Sequence, residues 1–194
     1  LRPRYLALQD VVEDSDMAIY NTEAGKAIHN IFKNHPKYVC SEYFGPGVES
    51  GAYFHGIMHQ DLMTLSLESE SIDLVISSDV FEHIPDPYRG HQQIYRVLKK
   101  GGRHIFTVPF YQTECLDEIR ATLGSNGEVT YHMEPIFHGD PLREEGALVF
   151  TIFGLEMFVR LAKIGFRVHM WKLRDADAGI MGGNAIVFEA CKGS

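Results

Sequence analysis

Apolar positions fall into two alternating rhythms along the chain. MAIY at 17–20 is a short apolar run, and Ala24, Ala27, Ile28, Ile31 and Phe32 then recur at steps of three and four, one face of a helix that Pro36 stops. YVCSEYF at 38–44 predicts a second strand and FHGIM at 54–58 a short third. IDLVISS at 72–78 is apolar on both faces, as a central parallel strand covered by helices must be. A helix over about 88–98 runs into KKGG, where two cations meet the negative end of the dipole and a glycine takes the left-handed cap. RHIFTVPF at 103–110 reads as the fifth strand.

From 111 to about 150 the rhythm fades into scattered Gly, Pro and charge, a length beyond what a plain connection needs, so this insertion is expected to carry short structure of its own and to act as a substrate lid. Helical spacing returns at Leu155, Phe158, Val159 and Ala162, with Glu156 and Arg160 paired on the wet side and Gly165 as the stop. Phe166, Val168 and Met170 alternate with polar residues, and AIVFEA at 185–190 follows a Gly-rich loop, so the last two strands pair antiparallel. Strand–helix alternation ending in a hairpin predicts an α/β fold. It is a doubly wound, Rossmann-like, mostly parallel sheet of about seven strands, with its ligand at the carboxyl ends of the strands.

Composition narrows the partners. A chain of 194 residues suits one domain, here 1–194 with the insertion at about 111–150. No apolar run approaches the roughly 18 residues that span a bilayer, and the opening LRPRYLALQDVVEDSD lacks the apolar core of a signal peptide. The expectation is a cytoplasmic protein with no membrane partner. Cys40, Cys115 and Cys191 are scattered and odd in number, which fits reduced thiols. A net charge of −8 with dispersed basic residues argues against nucleic acid.

The chemistry gathers where the fourth strand ends. SSDVFEHIPD sets Asp79, Glu82 and His83 at i, i+3 and i+4, and one helical turn would bring all three to one face. Two readings stand: Asp79 caps the turn while Glu82 is solvated and His83 satisfies a carbonyl, or the trio is the chemical side of a site. In the second reading His83 acts as a general base.

The block DLMTLSLESESIDLVISSDVFEHIPDPYRGHQQIYRVLKKGGRHIFTVP resembles class I S-adenosylmethionine-dependent methyltransferases, whose turn before the fifth strand reads R-V-L-K-P-G-G; Arg96 to Gly102 departs from it only at Lys100. The resemblance implies S-adenosylmethionine as cofactor and methyl transfer, most simply O-methylation, to a small-molecule or glycan-type acceptor. It implies Glu42 on the ribose hydroxyls, where a solvated strand-end carboxylate is the alternative. Asp61 falls near the adenine amino group, where a helix-capping role competes, with Leu62 against the ring. The backbone from Ser77 through Ser78 to Val80 passes under the methionine part. The first loop, IYNTEAGKA, departs from the family's Gly-x-Gly; Asn21, Thr22, Glu23 and Gly25 supply its contacts, with Glu23 on the cofactor's ammonium. Similarity to ubiquinone-pathway O-methyltransferases further implies a divalent metal, Mg or Mn, on Asp79, Glu82 and His83. The insertion holds a second polar cluster, His132, Glu134, His138, Asp140, Arg143 and Glu144, in which His138 and Asp140 are the second-choice base or metal pair. Tyr111, Tyr131 and Phe137 around it suit a hydroxylated acceptor such as a sugar. A catalytically silent, methyltransferase-like binding module is the alternative to the enzyme.

Overall fold

The computed structural model describes residues 11–140, 143–177, 179–183 and 185–193, with the backbone alone at 26, 140 and 143–145. In chain order it contains β1 (Ile19–Asn21), α1 (Lys26–Phe32), β2 (Tyr38–Glu42), β3 (Tyr53–Phe54), β4 (Ile57–His59) and β5 (Ile72–Ser78). A single 3-10 turn (Phe81–His83) leads to α2 (Pro87–Val97) and β6 (Leu98–Thr107). The insertion holds β7 (Glu118–Ile119), β8 (Ala121–Leu123), β9 (Val129–Tyr131), β10 (Phe137–Asp140), β11 (Arg143–Leu148) and β12 (Thr151–Ile152). The chain closes with α3 (Glu156–Ile164), β13 (Phe166–Lys172) and β14 (Ile186–Lys192).

Eight strands form the main sheet in the order β13-β14-β6-β5-β1-β2-β4-β3. Pairing is parallel from β6 through β5, β1 and β2 to β4, and antiparallel where β14 joins β6 and β13. The fold is the Rossmann-like α/β sheet with a C-terminal antiparallel pair. Strand order reverses at β1, which lies between β2 and β5, so the loops after these strands open a crevice at their carboxyl ends.

Two expectations for the elements need correction. FHGIM is a hairpin rather than one strand: His55 and Gly56 take φ of 49° and 81°, the pair of left-handed residues that a two-residue hairpin turn requires. KKGG does not cap α2, because Leu98 already turns extended after Val97. Those four residues bulge the start of β6, which runs from Leu98 to Arg103 while β5 advances only from Ile72 to Leu74. Gly102 is required there by close approach, since a Cβ would lie 2.9 Å from the Lys99 carbonyl oxygen and 3.2 Å from that of Asp73. The start of α2 follows its sequence: Asp86 Oδ1 accepts from Arg89 N–H at 3.0 Å, with Pro87 in the first turn.

On one face of the sheet, Phe106, Phe188 and Ala190 pack with Ile94 and Val97 of α2 and Met157 and Leu161 of α3. Tyr88 of α2 donates to Asp117, whose other oxygen accepts Gly154 N–H at 2.8 Å, and Arg160 lies 4.0 Å over the Tyr88 ring. Burial raises the Asp117 carboxyl above its usual range, yet these donors fix it and so tie the root of the insertion to both helices.

His91 and His104 sit fully buried in this core, His91 stacked on Phe81 at 4.0 Å and His104 on Phe106 at 4.6 Å. Burial keeps both neutral: His91 titrates well below the usual range, and His104 is lowered to about 3. In the unfolded chain each takes a proton near the ordinary value of about 6.5, so below that pH the unfolded state binds more protons. Stability is therefore expected to fall as pH drops from about 6.5, by up to about 1.4 kcal/mol per pH unit for each histidine. Urea denaturation of the parent and of His91→Leu between pH 7 and 4 checks this, with a shallower pH slope expected for the variant.

Candidate active site

The crevice is a cleft of about 910 Å³, floored by the residues that follow the parallel strands and walled by the insertion. Thr22 after β1, Glu42 ending β2, Asp61 after β4 and Asp79 after β5 all line it. Leu123, Val129, Tyr131 and Phe137 face them from the insertion.

Of the residues expected at the cofactor, Glu23, Gly25, Glu42, Asp61 and Leu62 line the cleft. Glu42 Oε1 accepts Ala24 N–H at 2.9 Å, so the carboxylate that ends β2 also fixes the loop after β1. Gly25 has an ordinary extended backbone, and a Cβ there would meet nothing within 4 Å; any side chain at this position would occupy cleft space. Asp61 Oδ1 accepts Met63 N–H at 2.8 Å, a local turn closure consistent with the capping alternative.

Asn21 and Ser78 stand elsewhere. Asn21 is fully buried and its amide donates to the Glu23 carbonyl at 2.6 Å and to Tyr38 Oη at 3.1 Å, holding the first loop from behind. Ser78 Oγ lies 3.3 Å from Thr107 Oγ1, between β5 and β6. Pattern alone missed Tyr43, Phe44 and Gln60, which also line the cleft. The aromatic pair directly after Glu42 in SEYF was the available signal; Phe44 N–H donates to His59 Nδ1 at 3.0 Å, fixing where the loop after β2 lies.

The turn after β5 does not gather Asp79 with Glu82 and His83. Asp79 is exposed and left-handed, φ 52°, with its N–H shared between the carbonyl and the hydroxyl of Thr107 at 3.1 Å each. A left-handed residue ends the strand instead of starting a helix, so the expected i, i+3, i+4 face never forms. The capping role fails too, because the turn has no side-chain cap. The three-donor set here is Glu82, His83 and His138, whose ligating atoms lie within 4.8 Å of one another.

Glu82 is completely buried, with Oε1 3.7 Å from His83 Nε2 and 3.5 Å from His138 Nδ1. His83 Nδ1 lies 2.8 Å from the Leu148 carbonyl oxygen. A carbonyl only accepts, so neutral His83 carries its proton on Nδ1 and presents Nε2 with its lone pair. The two imidazoles meet edge to face at 5.1 Å. Thus the first-choice and second-choice bases of the sequence are one cluster, joined through Glu82. His132 lies away from it, 3.1 Å from Thr122 Oγ1, and the side chains of Asp140, Arg143 and Glu144 lie outside the described residues.

Comparison with known proteins agrees with the strand order and the motif block. Residues 37–106 match the family described as Methyltransferase domain. Mouse arsenite methyltransferase is 34% identical over 80 residues, 41% of this chain and 21% of that protein, so the chain spans about a fifth of the curated relatives it matches. An S-adenosylmethionine-dependent methyltransferase from Mesorhizobium loti superposes with a TM-score of 0.56 at 16% identity, over 95% of this chain and 96% of that one. The 1,6-didemethyltoxoflavin-N1-methyltransferase of Burkholderia thailandensis, solved with S-adenosylhomocysteine, gives 0.54 at 12% identity, over 91% and 71%.

Left-handed backbone costs a residue with a Cβ about 1–2 kcal/mol, more where the side chain is β-branched. Asp79→Val should therefore lower stability by about that amount, while Asp79→Gly should hold or raise the urea midpoint. Equilibrium denaturation of the two variants checks this, and the glycine variant then reports on the carboxylate alone. The chain thus shares the fold of S-adenosylmethionine-dependent methyltransferases, and its residues 37–106 match the family described as Methyltransferase domain.

Proposed function

We propose that this cleft moves a methyl group to a hydroxyl of a small or glycan-type acceptor. The observation that carries the reading is His83 at the cleft wall, its tautomer set by the Leu148 carbonyl and its Nε2 beside buried Glu82. Bound S-adenosylmethionine supplies a sulfonium methyl, an electrophile that needs no activation beyond alignment with a nucleophile.

For that cofactor the residues fit. Glu42 offers two acceptor oxygens to a ribose diol, and Glu23 a carboxylate to an ammonium. Asp61 and Leu62 offer an acceptor and an apolar wall to a purine. On the acceptor side, His83 Nε2 takes the hydroxyl proton as the oxygen becomes nucleophilic, and the Glu82 carboxylate stabilises the imidazolium so formed. His138 Nδ1 approaches the same carboxylate oxygen at 3.5 Å. Tyr43, Tyr131 and Phe137 give the walls flat apolar faces, to which the tyrosines add hydroxyls, and such walls suit a hydroxylated ring.

The arsenite reading suggested by the relatives' names finds less support, because a thiophilic arsenic centre calls for thiols and no cysteine lines the cleft among the described residues. A second form of the oxygen chemistry rests on the three-donor set. Glu82, His83 and His138 would hold a borderline divalent cation, which would lower the pKa of an acceptor hydroxyl.

Calorimetry with S-adenosylhomocysteine tests the cofactor side. Binding is expected, and Glu42→Ala should weaken it by about 1.5–3 kcal/mol, with Glu42→Gln in between because it still accepts from Ala24. No binding at millimolar ligand would return the chain to a silent module. With methyl transfer measured across hydroxylated small molecules and sugars, His83→Ala should lower the rate by about 10²–10⁴ and erase the acidic limb of the pH profile. Loss of activity on chelation, restored by Mg²⁺ or Mn²⁺ with cofactor binding intact, would favour the cation form.

A further inference from the structure

Strand β14 sends its side chains to two environments. Phe188 and Ala190 enter the core with α2 and α3, so Glu189 and Cys191 project from the opposite face. There His169 of β13 stands directly across from Glu189 in the antiparallel register, and Arg103 of β6 stands across from Cys191. The imidazole, the carboxylate and the thiol keep their ligating atoms within 4.8 Å of one another, with His169 Nδ1 3.8 Å from Glu189 Oε2.

We propose that His169, Glu189 and Cys191 form a zinc site on this face, separate from the cleft. Cleft residues follow the carboxyl ends of β1, β2, β4 and β5, whereas this set lies on β13 and β14, beside Arg103 and Ile105 of β6. Two ligands at i and i+2 on one strand and a third directly across on its neighbour share a face by the pleat alone, so the ladder presets the set without any loop. The carboxylate is also oriented from outside: Arg103 donates to Oε1 at 2.7 Å and Trp171 Nε1 to Oε2 at 3.1 Å. Such outer donors are what fix a ligating carboxylate in a metal site.

A thiolate, an imidazole and one carboxylate are the donor mix of zinc rather than of magnesium or calcium, and three protein ligands leave the fourth tetrahedral position to water. On binding, the Cys191 S–H bond breaks, its proton goes to solvent and the S–Zn bond forms. Thiolate and carboxylate then neutralise the dication. Arg103, half exposed, keeps its charge in solvent. Arg167, across from Cys191, adds a second cation on this face.

The test uses the full chain with Zn²⁺ alone, and with Co²⁺ as the spectroscopic probe. One equivalent should bind at this set, marked by a thiolate-to-cobalt charge-transfer band and the release of protons. Cys191→Ser should remove the band and weaken zinc at least about tenfold, by analogy with the 10–100-fold cost of lesser changes around metal sites. His169→Asn, at an exposed position, should weaken zinc similarly, and stands in should the serine variant fold poorly. The double variant Cys40→Ser/Cys115→Ser should keep the band, as should His83→Ala. No charge-transfer band, a band that survives Cys191→Ser, or zinc binding that His83→Ala alone abolishes would each overturn the proposal.

Discussion

The arrangement of the cleft depends on how β5 leaves the sheet. A strand buried on both faces must end abruptly if its next residues are to stay at the crevice. Here a left-handed Asp79 makes the break, and Thr107 of the adjacent strand receives its N–H. The 3-10 turn that follows buries Phe81 and Glu82 completely and leaves His83 at the wall. Its backbone is tied from the insertion too, because the Glu82 carbonyl accepts Phe150 N–H at 2.7 Å. One turn thus fastens the core, the floor of the cleft and the insertion together.

That fastening explains why a carboxylate can be buried here. An isolated buried charge is costly, and proteins retain one only where partners surround it. Two imidazoles from segments far apart in sequence, His83 and His138, approach the same oxygen of Glu82. Behind the turn Phe81 lies on His91, which burial holds neutral, so the core side adds no competing cation. The polar side of the turn faces the cleft and its apolar side the core, an asymmetry the 3-10 geometry supplies within three residues.

Much of this was legible in the sequence where a single physical rule governs a long segment. The two-sided apolar run of β5, the helical stripes of α2 and α3 and the left-handed Gly165 after α3 each follow from burial or sterics alone. Glu42, Asp61 and Leu62, which the family resemblance set at the cofactor, do line the crevice at the carboxyl ends of the parallel strands. What stayed hidden was decided by a few dihedrals or by long-range pairing. His55 entering the left-handed region turns one expected strand into a hairpin, and the same choice at Asp79 breaks the expected helical face. The insertion folds into ladders of two to six residues, too short for any period to show.

The union of His83 with His138 was the least legible feature, and it bears most on mechanism. No local pattern links residues on either side of β6 and three short strands; only the closure of the insertion over the turn brings them to Glu82. The Leu148 carbonyl that sets the His83 tautomer and the His138 ring that meets Glu82 come from facing strands of one hairpin, β10 with β11. Lifting that hairpin would remove both at once. His83 would lose the acceptor that fixes its tautomer, and Glu82 would lose an imidazole and gain water. In the reaction proposed above, the element that walls the cleft would thus also set the base, coupling proton removal to enclosure.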